Sequence, residues 1–232
     1  MASKAQRIKA VVFDLDDTLY PERQYVRSGY RAAAERLRKL TPKDGPFEDW
    51  LWGRFLSGRT RDAFDELNEH FKLGLSADKI AELVSVYREH SPEIRPYEGT
   101  AGLLGLLHAG YRLGLLSDGF LPAQRLKLQA LKIGRFFDAV VFTEEIGRNA
   151  WKPSSAGFEA MQKEFGVPHE ACAYVGDNPA KDFLAPNQLG WLTIQMVRPG
   201  QVHSHKPPPA GGAPQVVATS PRQLTVELLS AR

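Results

Sequence analysis

The strongest constraint on this chain is a set of short apolar runs that stop at acidic or small polar residues. Ala10-Val11-Val12-Phe13 stops at Asp14, and Tyr111-Arg112-Leu113-Gly114-Leu115-Leu116 stops at Ser117-Asp118-Gly119. Ala139-Val140-Val141-Phe142 stops at Thr143-Glu144-Glu145, and Cys172-Ala173-Tyr174-Val175 stops at Gly176-Asp177-Asn178. Trp191-Leu192-Thr193-Ile194 follows Gly190, and Val216-Val217-Ala218 reads as an edge strand. Short β-branched runs without polar alternation are the pattern of strands covered on both faces. Between them, apolar residues recur at helical spacing: Leu103, Leu104 and Leu107, then Leu121, Leu128 and Leu131, then Phe158, Met161 and Phe165. Strand and helix therefore alternate between residues 100 and 198. That alternation predicts an α/β fold, a Rossmann-like parallel sheet with helices on both faces.

The stretch from 20 to 94 carries no strand signal. Val26, Tyr30, Leu37 and Leu40 mark one amphipathic helix, and Phe47, Leu51 and Phe55 a second. Phe64, Leu67 and Phe71 mark a third, and Ile80, Leu83, Val84 and Tyr87 a fourth with Ser76 as its N-cap. Ser91-Pro92 and Arg95-Pro96 lead back to the sheet. The expected organisation is a catalytic core from 1–19 and 95–198, an inserted all-helical cap from 20–94, and a tail from 199–232. Residues 199–214 are rich in Pro and Gly and read as an irregular loop with little packed structure, His203-Ser204-His205 included. Pro221 to Leu229 reads as a terminal helix.

Composition excludes several classes. The 232 residues hold 30 Lys and Arg against 27 Asp and Glu, and a net charge of +3 gives no nucleic-acid footprint. A single cysteine, Cys172, cannot form an internal disulfide and reads as a small buried apolar residue. No apolar stretch approaches membrane-span length or a signal-peptide core, so a cytoplasmic enzyme with no membrane partner is expected. Oligomeric state is not encoded in any pattern here.

In a parallel sheet, ligands bind beyond the carboxyl ends of the strands, where Asp14, Asp16, Ser117, Asp118, Asp177 and Asp182 are placed here. Lys152, preceding the helix of Phe158, would converge on the same crevice. Hard carboxylate oxygens from Asp14, Asp16 and Asp177 suit Mg²⁺, which relieves their mutual repulsion. A carboxylate can also attack phosphorus, a second one can move protons, and Ser117 and Lys152 can donate to phosphoryl oxygens. Alone, each of these segments is an ordinary turn.

Together they resemble the haloacid-dehalogenase-like (HAD-like) superfamily, in its phosphatase branch. The four motifs stand in order: Asp14-Leu15-Asp16-Asp17-Thr18-Leu19, Ser117, Lys152-Pro153, and Gly176-Asp177-Asn178-Pro179-Ala180-Lys181-Asp182. The resemblance covers nearly the whole chain except the Pro/Gly-rich tail, and the helical insertion matches the family's cap, expected to close over the site. It implies that Asp14 attacks phosphorus and that Asp16 protonates the leaving group, then activates water. It implies Mg²⁺ held by Asp14, the Asp16 carbonyl and Asp177, with Asp182 as ligand or support. Thr18 would brace the first loop. Ser117, Lys152 and the backbone N–H groups of Asp118 and Gly119 would bind phosphate. Asp16 favours phosphoester hydrolysis over dehalogenation, because an alcohol leaving group needs a proton and a halide does not. The substrate would be a small phosphorylated metabolite. A phosphomutase using the same Asp14, and a catalytically silent binding protein on this scaffold, are the alternatives.

Several residues have plainer readings. Trp50, Trp52 and Phe55 pack the helical insertion, with one or two facing the crevice, and Arg23, Arg27, Arg54, Arg59 and Arg61 read as solvated helix faces. Pro186 predicts a short or kinked helix after the fourth motif, and Trp151 a bulky neighbour for Lys152.

Overall fold

A computed structural model describes residues 7–230. Its strands are β1 (Ala10–Phe13), β2 (Arg112–Ser117), β3 (Ala139–Phe142), β4 (Cys172–Gly176), β5 (Leu192–Met196) and β6 (Val216–Ala218). Helices α1 (Glu22–Leu40), α2 (Phe47–Leu56), α3 (Ala63–His70) and α4 (Ala77–Glu89) lie between β1 and β2, followed by α5 (Thr100–His108). Helices α6 (Ala123–Leu131), α7 (Thr143–Ile146), α8 (Ala156–Phe165), α9 (Leu184–Gln188) and α10 (Pro221–Ser230) follow in the second half. The strands form one sheet in the order β3-β2-β1-β4-β5-β6, parallel throughout, as the alternating pattern predicts.

β1 lies at the centre, with Phe13 in register with both Leu115 and Val175. Its four residues are buried, which is why the run is apolar without alternation. One face of the sheet presents Ala10, Val12, Leu116, Cys172 and Tyr174 to Phe158, Met161 and Phe165 of α8. The Phe158 ring meets Tyr174 at 4.9 Å and Trp191 at 5.5 Å, both edge-to-face. The Trp191 indole N–H donates to His169 Nδ1 at 2.9 Å, so the largest buried side chain leaves no unpaired donor. Burial pushes the Cys172 thiol up to about 12, so it behaves as an apolar core residue. α9 is a five-residue helix containing Pro186, the short element that proline predicts.

The chain divides into two compact units. The sheet unit is Met1–Glu22, Arg95–Phe120 and Leu131–Arg232, and the helical unit is Arg23–Ile94 together with Leu121–Ala130. Most of α6 therefore packs with α1–α4, although its sequence lies inside the range expected for the core. Its buried face also differs from the leucine face read from the sequence: Gln124 and Lys127 are buried while Leu128 is only half-buried. Lys127 tolerates this because its ammonium sits 4.1 Å from the Tyr25 ring centre, a cation–π contact that replaces part of its hydration. Aromatic contacts dominate this unit, among them Tyr30–Phe64 at 6.3 Å and Phe47–Phe71 at 5.0 Å. Ser76 stands at the N-cap of α4 but its side chain makes no capping hydrogen bond. No helix among the described residues is long and apolar enough to cross a membrane.

Two expectations need correction. The stretch 199–214 has no regular element, but it is not loosely packed: Gln201 and Ser204 are buried. His203 is half-buried rather than mobile, with Nε2 lying 3.5 Å from Glu22 Oε2. Burial, with Lys206 and Lys181, pushes its imidazole down to about 4, so it is neutral at physiological pH. Polar side chains holding backbone carbonyls give this stretch its order, a force that composition does not display.

Arg54 is likewise no solvated residue. It is buried, donating to Glu66 at 2.6 and 2.9 Å, to the Arg59 carbonyl at 2.5 Å and to the Arg61 carbonyl. Arg59 also pairs with Glu66 but is largely exposed. Arg54→Ala should therefore cost about 2–3 kcal/mol through unpaired acceptors, whereas Arg59→Ala should cost about 0–1 kcal/mol. Urea unfolding of the two variants measures the difference.

Candidate active site

Asp14 is the first residue after the central strand, and its N–H donates to the Val175 carbonyl at 2.9 Å, extending the β1–β4 ladder by one step. Strand order places it where connections leave the sheet in opposite directions, β2 on one side of β1 and β4 on the other. Such a switch point opens a crevice at the carboxyl ends. The chain then turns tightly: the Thr18 N–H donates to the Asp16 carbonyl at 2.7 Å and the Leu19 N–H to the Leu15 carbonyl at 3.0 Å. Asp17 takes a left-handed conformation in this turn, with φ +53°. Its Oδ1 accepts the Glu22 N–H at 2.7 Å, which helps to hold that conformation. The Asp16 carboxylate accepts a short hydrogen bond from the Tyr20 hydroxyl.

Lys152 is the centre of the site. Its ammonium is buried and lies 2.6 Å from Asp14 Oδ1, 2.8 Å from Asp182 Oδ1 and 2.7 Å from the Tyr174 hydroxyl oxygen. It donates hydrogen bonds to Asp14 and Tyr174 and forms an ion pair with Asp182, so two carboxylates offset the loss of its hydration. Burial alone would lower its pKa, but Asp14 and Asp182 outweigh burial and hold it well above the usual lysine range. The Lys152 backbone N–H is itself held by both Asp118 carboxylate oxygens at 3.2 Å. Asp118 Oδ1 also accepts the Thr143 hydroxyl at 2.8 Å, and Oδ2 lies 3.4 Å from the Lys181 ammonium. Asp118 thus joins the ends of β2 and β3, the Lys152 loop and the fourth motif by its side chain. Gly119 follows with φ +135°, a conformation that favours glycine.

Asp177 and Asp182 come from the loop after β4. Asp182 lies so close to the strand end that a Cβ on Gly176 would meet its Oδ2 at 2.6 Å, so glycine is required there. Asp182 Oδ2 accepts the Asn178 N–H at 2.8 Å. The carboxylate oxygens of Asp14, Asp177 and Asp182 converge within 4.8 Å of one another. Burial, then Asp182 and Asp14, pushes Asp177 well above the carboxylate range. Burial, partly opposed by Lys152, raises Asp14 to about 6. Burial would raise Asp182 too, but Lys152 and Lys181 bring it below its usual value. Asp177 Oδ2 is buried and, like Ser117 Oγ and Thr18 Oγ1, has no hydrogen-bond partner among the described residues. A buried carboxylate oxygen without a donor, beside two more carboxylates, fits a hard divalent cation. Buried hydroxyls without partners fit an anionic ligand oxygen.

The structure thus brings Asp14, Asp177, Asp182 and Lys152 into direct contact range. The cation cluster contains Asp182, while the Asp16 carbonyl already accepts the Thr18 N–H. Two residues with a place in the site had no role in the sequence reading. Tyr174 looked like one more core aromatic; its signal was a hydroxyl inside an otherwise apolar strand. Lys181 stood inside the fourth motif, and only the fold shows its ammonium next to Asp118. Trp151, the residue before Lys152, donates its indole N–H to Glu144 at 3.0 Å and meets Phe120 edge-on.

The sequence profile of a family described as haloacid dehalogenase-like hydrolase matches residues 8–190. A glyceraldehyde 3-phosphate phosphatase of Methanopyrus kandleri is 31% identical over 226 residues, covering 94% of this chain and 95% of that protein. A protein of the same name from Methanocaldococcus jannaschii is 31% identical over 200 residues, covering 82% of this chain and 86% of its own. Among solved structures, the HAD-hydrolase YfnB of Bacillus subtilis, bound to magnesium, aligns with a TM-score of 0.68 at 22% identity. That alignment covers 96% of this chain and 99% of the other, and it establishes the fold.

A raised carboxylate pKa has a testable sign. The folded protein holds protons on Asp177 and Asp14 that the unfolded chain has released, so metal-free stability falls as pH rises through that window. In EDTA at pH 8, Asp177→Asn should raise the melting temperature, by about 2–4 °C for each kcal/mol of repulsion removed. The same variant should lose the Mg²⁺-induced rise expected of the wild type. Differential scanning fluorimetry with and without MgCl₂ reads both.

Proposed function

Because this chain belongs to the haloacid dehalogenase-like hydrolases, we propose that it is a cytoplasmic, Mg²⁺-dependent phosphatase of small phosphomonoesters, working through a phosphorylated Asp14. The observation that carries the reading is the buried Lys152 ammonium shared by Asp14 and Asp182, together with buried polar atoms of Ser117, Thr18 and Asp177 that have no hydrogen-bond partner among the described residues. Such a site has anionic, cationic and hydroxyl groups in place for a phosphoryl group and a divalent cation.

Lys152 keeps Asp14 oriented by its 2.6 Å contact, leaving Asp14 Oδ2 as the attacking atom. That oxygen forms the bond to phosphorus while the ester oxygen departs in line on the opposite side. Asp16 gives the departing oxygen a proton, so an alcohol leaves instead of an alkoxide. Asp16 then takes a proton from water, which attacks the phosphoaspartate; phosphorus–oxygen cleavage restores Asp14 and releases inorganic phosphate. Ser117 and Thr18 donate their hydroxyl protons to the equatorial oxygens, and the Lys152 charge offsets the negative charge gathered there. Asp14, Asp177 and Asp182 are the side chains that would hold Mg²⁺, which supplies charge neutralisation between nucleophile and phosphate.

Relatives named for hydrolysis favour release of phosphate to water over a mutase cycle. Their substrate, a three-carbon phosphomonoester, defines the size class with which a substrate screen should begin.

Phosphate release from glyceraldehyde 3-phosphate and a metabolite panel tests the reading. Activity should require Mg²⁺, disappear with EDTA, and fall by about 10³-fold or more in Asp14→Asn. Asp16→Asn should fall by about 10²–10⁴-fold on alkyl phosphates and much less on p-nitrophenyl phosphate, whose leaving group needs no proton. Undiminished turnover in Asp14→Asn would remove it as the nucleophile, and isomerised substrate without free phosphate would favour a mutase.

A further inference from the structure

The proposed chemistry asks two loops to hold their shape: the turn carrying Asp16 and the loop carrying Asp177. Neither is tied down by its own motif alone. The turn contains a left-handed Asp17, a conformation that a non-glycine residue adopts at a cost and that neighbours must hold in place. Besides the Glu22 N–H, the partners of Asp17 come from the β5–β6 connection, outside all four motifs.

Gln201 is 7% exposed, and its amide is fully used. Both Nε2 hydrogens are donated, one to the Asp17 carbonyl at 2.7 Å and one to the Met196 carbonyl at 2.8 Å, while Oε1 accepts the Arg198 N–H at 2.8 Å. The next residue adds a second tie: the Val202 N–H donates to Asp17 Oδ2 at 2.6 Å. Gln195, 6% exposed at the end of β5, repeats the device. Its Nε2 donates to the Asp177 carbonyl at 3.0 Å and to the Ser204 carbonyl at 3.0 Å. In each case one amide hydrogen fixes the connection to itself or to its strand, and the other fixes a catalytic loop. A buried carbonyl deprived of such a donor has no water to replace it.

We propose that Gln201 and Gln195 are positioning residues, through which the β5–β6 connection holds Asp16 in place from Asp17 and holds Asp177 by its own carbonyl. Gln201 acts on proton transfer to the leaving group. Gln195 acts on the cation site. The inference rests on the phosphatase reading, and it assigns a purpose to a stretch whose Pro/Gly-rich composition looks like spare loop.

The test uses the full-length protein with Gln201→Met and Gln195→Met, which keep side-chain length and remove the donors. Gln201→Met should lower kcat on an alkyl phosphate by about 10–100-fold and kcat on p-nitrophenyl phosphate several-fold less, with little change in KM. Gln195→Met should lower both substrates alike at limiting Mg²⁺ and recover at saturating Mg²⁺. Its Mg²⁺ dissociation constant, by calorimetry, should rise about 10-fold or more. Hydrogen exchange gives a readout independent of turnover: peptides covering 14–22 should exchange faster in Gln201→Met, while those covering β4 should not. Equal losses on the two esters, tracking a fall in melting temperature, would make Gln201 merely structural and overturn the proposal. So would unchanged exchange over 14–22 in an active enzyme, or an unchanged Mg²⁺ constant in Gln195→Met. A wild type inert toward every phosphoester, with exchange altered as expected, would sink the phosphatase reading instead and the positioning role with it.

Discussion

The buried ammonium of Lys152 is the group on which the site depends. Without it, Asp14 and Asp182 would be two buried carboxylates facing each other, with a third, Asp177, beside them. Like charges in that arrangement drive protons on, and a protonated Asp14 is no nucleophile. Lys152 counters this by lying 2.6 Å from one carboxylate and 2.8 Å from the other, with Tyr174 filling its third position. It does not reach Asp177, which burial first, and then Asp182 and Asp14, push well up against a partial offset from Lys181. The arrangement is balanced for a partner charge rather than for isolation: one divalent cation would settle Asp177, and a phosphoryl group would occupy the hydroxyls of Ser117 and Thr18.

The parallel sheet makes this charge cluster possible. β1, β2 and β4 end side by side, so residues far apart in sequence meet within a few ångströms. Each enters from a buried strand whose position is fixed by packing, and the contact precision that catalysis demands is inherited from the core. Gly176 illustrates the tolerance. One added methyl there would collide with the Asp182 carboxylate, displacing the group that shares Lys152 with Asp14.

The strands were legible because burial on both faces leaves a short continuous apolar run, and most helices because burial on one face leaves a helical period. Ala10–Phe13 and Ala139–Phe142 begin and end where their apolar runs do. Asp14, Ser117 and Asp177 were legible because polar residues end the apolar strand runs, and Lys152 because it precedes the helix of Phe158 in the same recurring order. What escaped has no period. Tyr174 sits inside a fully buried strand as a core residue, and only its hydroxyl, reaching Lys152, sets it apart. Lys127 and Gln124 bury polar atoms on a helix face that hydropathy assigns to leucines, because a cation over the Tyr25 ring has no signature in spacing. Arg54 looked solvated because its satisfaction comes from the Arg59 and Arg61 carbonyls, which every residue possesses.

The β5–β6 connection carries the same lesson further. Proline and glycine in a stretch say that it lacks repeating backbone hydrogen bonds, not that it lacks order. Backbone groups there still require partners, and buried glutamines satisfy them one carbonyl at a time. A glutamine suits this task because its two amide hydrogens diverge from one nitrogen, so a single side chain can join two segments. Gln201 joins the end of β5 to the first motif, and Gln195 joins the connection to the fourth. Both ties end on main-chain carbonyls rather than on the carboxylates of the site. They can therefore restrain the loops without drawing charge from Asp14 or Asp177, leaving Lys152 to set the electrostatics while the connection sets the geometry.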